Sequence, residues 1–171
     1  GQGWDGLSYM RWSDEWWHRV VELGVTKYQA QRVLPSLLVY LTAHPLGVTP
    51  TVAHHVLAFA LLDLAMLVGA ALVWAHLALR VMKWPPVVAW VGFVALFGSF
   101  ANARHALYDP VLVDSTAFLL GMVMVWGFVA RRSWVVWGAG LLGAFTWPPL
   151  PAIACALVLF PRPSEPSAPA G

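Results

Sequence analysis

The chain has 171 residues, 60% of them hydrophobic and 11% charged. An ordinary globular chain is about a quarter charged, and the mean hydropathy here is +0.68. That excludes a soluble enzyme, a disordered chain and a free nucleic-acid binder. Ten Lys and Arg against eight Asp and Glu give a net charge of +2, too small and too dispersed for a polyanionic partner.

The chain opens Gly1-Gln2-Gly3-Trp4-Asp5-Gly6, without an initiator Met or a signal-peptide pattern. The expectation is that an upstream stretch has been lost by processing or truncation. Ser13 reads as an N-cap, with Asp14 and Glu15 in the first turn of a helix running to about Leu23 and stopped by Gly24. Trp12, Trp16 and Trp17, close to His18 and Arg19, suit a membrane–water interface. A second helix is predicted from Thr26 to about Ala43, with Pro35 as a kink or break. It is polar at its start and apolar at Leu37-Leu38-Val39-Tyr40-Leu41, and too short to span, so it lies on or dips into the interface.

Four apolar runs follow: Val52 to Leu79, Pro85 to Ala103, Pro110 to Ala130 and Ser133 to Phe160. A bilayer core takes about 20 helical residues, so the fold class is an all-α polytopic membrane protein with about four transmembrane helices. Pro148, Pro149 and Pro151 break the fourth run, which reads as one kinked helix or two half-helices. The organisation is therefore 1–50 as outer-face interfacial helices and loops, 51–160 as a transmembrane bundle, and 161–171, rich in Pro, Ser and Ala, as a disordered tail. Arg80 and Lys83 lie between the first two runs, and Arg131 and Arg132 between the last two. The positive-inside rule makes both links cytoplasmic and puts residues 1–50 outside. The expected location is a bacterial inner membrane. The tail is outside too if the fourth run crosses once.

Asp63 lies inside the first span, where an acid costs about 2.5–3.5 kcal/mol on insertion scales. It must face protein or water, either as helix–helix glue pairing with Ser99 or Asn102, or as part of a polar pathway. Asp109 fits an N-cap before Pro110, and Asp114 stands about a turn further in, beside Ser115 and Thr116. With Arg104 and His105 they form an outer-face cluster able to hold a divalent metal or a phosphate. Asp5, in Trp4-Asp5-Gly6, fits an Asx turn. His54 and His55 are adjacent, so on a helix they point apart and cannot grip one metal. Cys155 is the only cysteine, so no intrachain disulfide forms. Ala65 with Gly69, and Gly140 with Ala144, are small-residue pairs that favour close helix packing.

One constellation resembles a known family. Asp5-Gly6-Leu7-Ser8-Tyr9, Tyr28-Gln29-Ala30-Gln31-Arg32-Val33-Leu34-Pro35 before a span, and Tyr108-Asp109-Pro110 in the next outward loop look like the N-terminal portion of the GT-C polytopic glycosyltransferases. The resemblance covers residues 1 to about 160, though the family's first helix and its later helices have no counterpart here. It implies sugar transfer from a polyprenyl-phosphate donor on the outer face. Asp5 would match the acceptor-activating base, Asp109 the second-loop acid, and Arg104 a phosphate contact, with His105 and Asp114 beside it. The alternative is a non-catalytic accessory subunit packed against a larger respiratory or photosynthetic membrane complex. The expected partners are thus the bilayer, a polyprenyl-phosphate lipid or other membrane subunits, and no nucleic acid.

Overall fold

The computed structural model describes residues 3–46, 51–99 and 114–160, and every regular element in them is helical. In chain order these are α1 (Gly3–Asp14), a π-helical turn (Trp17–Glu22), α2 (Lys27–Ala30), α3 (Leu34–Ala43), a 3₁₀ turn (His44–Leu46) and α4 (Val52–His76). A second π-helical turn (Leu77–Val81), α5 (Pro86–Phe97), α6 (Asp114–Val129), α7 (Ser133–Gly143) and α8 (Pro149–Leu159) complete them.

Local chemistry sets most boundaries. Gly24, at φ 76°, ends the first π-helical turn in the left-handed region, as its sequence position predicted. Thr26 caps α2 by accepting from the Gln29 N–H while the Gln29 side chain accepts from the Thr26 N–H, a reciprocal capping box. Ser13 departs from the expectation. It sits inside the last turn of α1 and donates to the Met10 carbonyl at 2.7 Å, because the chain is already helical from Gly3. The second predicted helix divides into α2 and α3. The break falls at Gln31–Val33, and Pro35 opens α3 where its missing N–H is harmless.

Thr51 caps α4 by accepting from the His54 N–H at 3.3 Å. Val52–Val81 is 30 residues long with a mean window hydropathy of 2.5, long and apolar enough to cross a membrane. Only 17% of that window is buried, unlike the core helix of a soluble protein. Leu57, Leu61, Leu64, Val68 and Leu72 form an exposed stripe at helical spacing, whereas the face bearing His55, Phe59, Asp63, Ala70 and Trp74 is buried. His55 and Asp63 therefore point inward and these leucines outward. The other apolar helices are shorter: α5 has 12 residues, α7 and α8 have 11 each, and the apolar part of α6 is Ser115–Val129. Four full crossings are therefore not seen among the described residues.

The run from Ser133 to Phe160 does not continue straight. Pro149 offers no N–H to the Phe145 carbonyl, so the helix cannot propagate through it. The freed carbonyl accepts from the Leu34 N–H of α3 at 2.9 Å. Beyond this tip the chain folds back. A Cβ added at Gly140 would collide with the Ala154 side chain, and one at Gly143 would lie 2.6 Å from Leu150. Each step forward on α7 is met by a step back on α8, so the pair is an antiparallel hairpin held at glycine spacing. At about 1.5 Å per residue each arm is about 16 Å long.

Candidate functional site

The registers of the helices define two layers along α4. Ser115 of α6 bonds Asp63, Leu119 packs on Gly69, and His76 meets the Trp126 ring at 6.1 Å, so α4 and α6 run parallel. The upper layer is α1 and α3, whose Tyr9, Met10, Trp12, Val33 and Val39 pack around Phe59. The lower layer is α5, α6 and the hairpin, with Ala70, Trp74, Ala89 and Met122 in one cluster and Met124, Val136, Ala139 and Leu150 in another.

Where the layers meet, the buried residues turn polar. Ser115 donates from its hydroxyl to Asp63 Oδ1, and Asp63 is buried. Counting back from the contact of Gly127 with Val135 and Val136 brings Thr116 and the hairpin tip at Thr146 to about the same height. The bond from Leu34 to Phe145 brings the start of α3, with Ser36, to that tip. Ser36, Thr116 and Thr146 are all buried. Thr146 donates back to the Leu142 carbonyl, but Ser36 Oγ and Thr116 Oγ1 find no hydrogen-bond partner among the described residues. A buried acid beside hydroxyls can hold a water, a hydroxyl or a proton. Among the described residues no three His, Cys, Asp or Glu side chains come together to hold a metal ion.

The second polar constellation ties the upper layer to the start of α4. Asp14, at the end of α1, reaches His55 in the first turn of α4, with Asp14 Oδ1 at 2.6 Å from His55 Nε2. The other ring nitrogen, Nδ1, lies 2.9 Å from the Thr51 carbonyl. Both nitrogens face oxygen, one the Asp14 carboxylate and the other the Thr51 carbonyl. Neither nitrogen is left free to take a proton from a substrate, and the pair acts as a clasp. Removing Asp14 leaves the buried His55 without its carboxylate partner. In a double-mutant cycle of Asp14→Asn and His55→Gln, thermal unfolding is expected to return a coupling of about 1–2 kcal/mol. Additive losses would mean that the clasp does not hold.

Of the residues singled out in the sequence, Asp63 is inside the fold as expected. The hydroxyl brought to it is that of Ser115, from α6. Asp5 lies on α1 and Asp114 opens α6, but their side chains fall outside the described residues, as do Arg104, His105 and Asp109 altogether. The link between Asp14 and His55 was not legible in the sequence, since 41 positions separate them and no motif joins them. The only available signal was negative: a histidine on the inward face of an otherwise apolar helix. No known protein family, curated protein or solved structure matches the chain.

Proposed function

We propose that the chain is the N-terminal portion of a GT-C-like membrane glycosyltransferase that uses a polyprenyl-phosphate sugar donor on the outer face. The observation that carries this reading is the layer of short helices, α1 and α3, seated on the first turns of the long apolar helix and clasped there through Asp14 and His55. It is the arrangement that the resemblance implies: interfacial helices bearing an acid, placed against the start of a span. In this reading α4, α5 and α6 cross the bilayer with the links at Arg80–Lys83 and Arg131–Arg132 inside. The α7–α8 hairpin enters from the inner side and returns to it. Asp5 takes the acceptor proton, Asp109 is the second acid, and Arg104, with His105 and Asp114, holds the lipid phosphate. The membrane would be a bacterial inner membrane.

The test uses membranes containing the full chain and a panel of polyprenyl-phosphoryl hexoses labelled in the sugar. Label is expected to pass to an acceptor, and Asp5→Asn and Asp109→Asn are each expected to abolish the transfer. No transfer from any donor, or full transfer by both variants, rejects the reading.

One observation favours the accessory-subunit alternative. A Cβ placed at Gly121 or Gly138 would meet nothing within 4 Å, so glycines stand on open helix faces where a neighbouring helix could approach closely. A silent transfer assay with specific cross-links from position 138 to another membrane protein would support that role.

A further inference from the structure

We infer that the hairpin between α4 and α5 is a binding site for an anionic phospholipid of the bilayer, with an acyl chain in the groove between the two helices and the phosphate at Arg80 and Lys83. The groove holds about 390 Å³, within the range of small-molecule pockets. One wall is Ala75 of α4 and Leu79 of the π-helical turn that follows it, the other α5 at Pro86, Trp90 and Phe93, and Trp74 lines it between them. Trp74 is fixed in place. Its Nε1–H donates to the Ala89 carbonyl at 3.1 Å, and its ring occupies the space that a side chain at Gly92 would need. The only polar atom of the indole is thus already bonded to a main-chain carbonyl, and the lining side chains are all apolar, an environment suited to a hydrocarbon chain.

The argument for the headgroup is charge. The segment that closes the groove, between Leu79 and Pro86, carries Arg80 and Lys83, both exposed. The parallel register of α4 and α6 puts Arg131 and Arg132 at the same end, with the Arg132 guanidinium 5.5 Å from the Trp126 ring that meets His76. Among the described residues no acid stands at that end; the nearest along α4 is Asp63, more than four turns away. A zwitterionic headgroup would bring a cation to Arg80 and Lys83, whereas an anionic one brings only complementary charge. This inference rests on the membrane crossing of α4 and not on the transferase reading, so the two fail separately.

Native mass spectrometry of the full chain in detergent, titrated with dioleoyl phosphatidylglycerol or dioleoyl phosphatidylcholine, tests it with identical acyl chains. The parent is expected to retain the anionic lipid roughly five- to thirtyfold better than the zwitterionic one. R80Q/K83Q should reduce that preference to near unity, while R131Q/R132Q should change it less than twofold. Ala75→Phe, which fills the groove, should lower retention of both lipids. Arg80 and Lys83 are exposed, so R80Q/K83Q keeps the test decisive even if the phenylalanine disturbs helix packing. Equal retention of the two lipids by the parent, an unchanged preference in R80Q/K83Q, or an equal loss in R131Q/R132Q overturns the inference.

Discussion

Gly140→Leu is expected to cost about 3 kcal/mol and to open the α7–α8 hairpin. Even a methyl group at position 140 would occupy the space of the Ala154 side chain, and Gly143 is similarly pressed against Leu150. The two arms can separate only by giving up the buried contacts of Val136, Ala139, Leu150 and Ala154 with Ala117 and Met124 of α6. In a bilayer such packing is a main source of helix association, since lipid tails are as apolar as the side chains they replace. The separation also strains the tip, where the Phe145 carbonyl holds the Leu34 N–H. Gly138→Leu is the control, because its position on the same helix is exposed and open. Thermal unfolding in detergent should show a large loss for position 140 and little for position 138. Equal losses at the two positions would mean that the arms are not closely paired.

Gly92→Leu is expected to cost about 2–3 kcal/mol by evicting Trp74. The indole ring lies directly over Gly92, where a Cβ would overlap it. Moving the ring breaks its hydrogen bond to Ala89 and its edge contact with Trp84, whose centroid is 5.8 Å away. The eviction is separable from simple crowding of α5. Trp74→Ala removes the obstacle, so the double variant should lose clearly less than the sum of the single losses. Additive unfolding energies would refute direct contact between the two positions.

Much of this architecture is legible in the sequence, and the limits have physical causes. The start of the long helix, the stop at Gly24 and the links at Arg80–Lys83 and Arg131–Arg132 follow from caps, glycine and charge, which act over a few residues. The three prolines near residue 150 announced a break but not its direction. A kinked crossing and a hairpin have the same apolar run, and only the facing of Gly140 by Ala154 separates them. The clasp of Asp14 and His55 and the partner of Asp63 are tertiary contacts between distant positions. An acid and a histidine in separate helices carry no mark of each other. Ser13 was misplaced because the local signal for a helix start, Ser-Asp-Glu, also fits the end of a helix already begun at Gly3.

Lys83 and Arg131 end the second π-helical turn and α6 with φ of 55° and 58°, in the left-handed region where glycine is usual. At Arg131 the closure is a complete Schellman motif. The Arg132 N–H bonds the Gly127 carbonyl at 2.7 Å, and the Arg131 N–H bonds that of Phe128 at 3.2 Å. A side chain in this conformation costs about 1–2 kcal/mol that glycine avoids. The two positions that bear this strain are bases at the same end of the helices, the end that in the proposed topology biases the direction of insertion through its charge. Conformational ease and topological fidelity thus pull on the same two residues. Glycine at both should give a chain that is harder to unfold and easier to insert upside down.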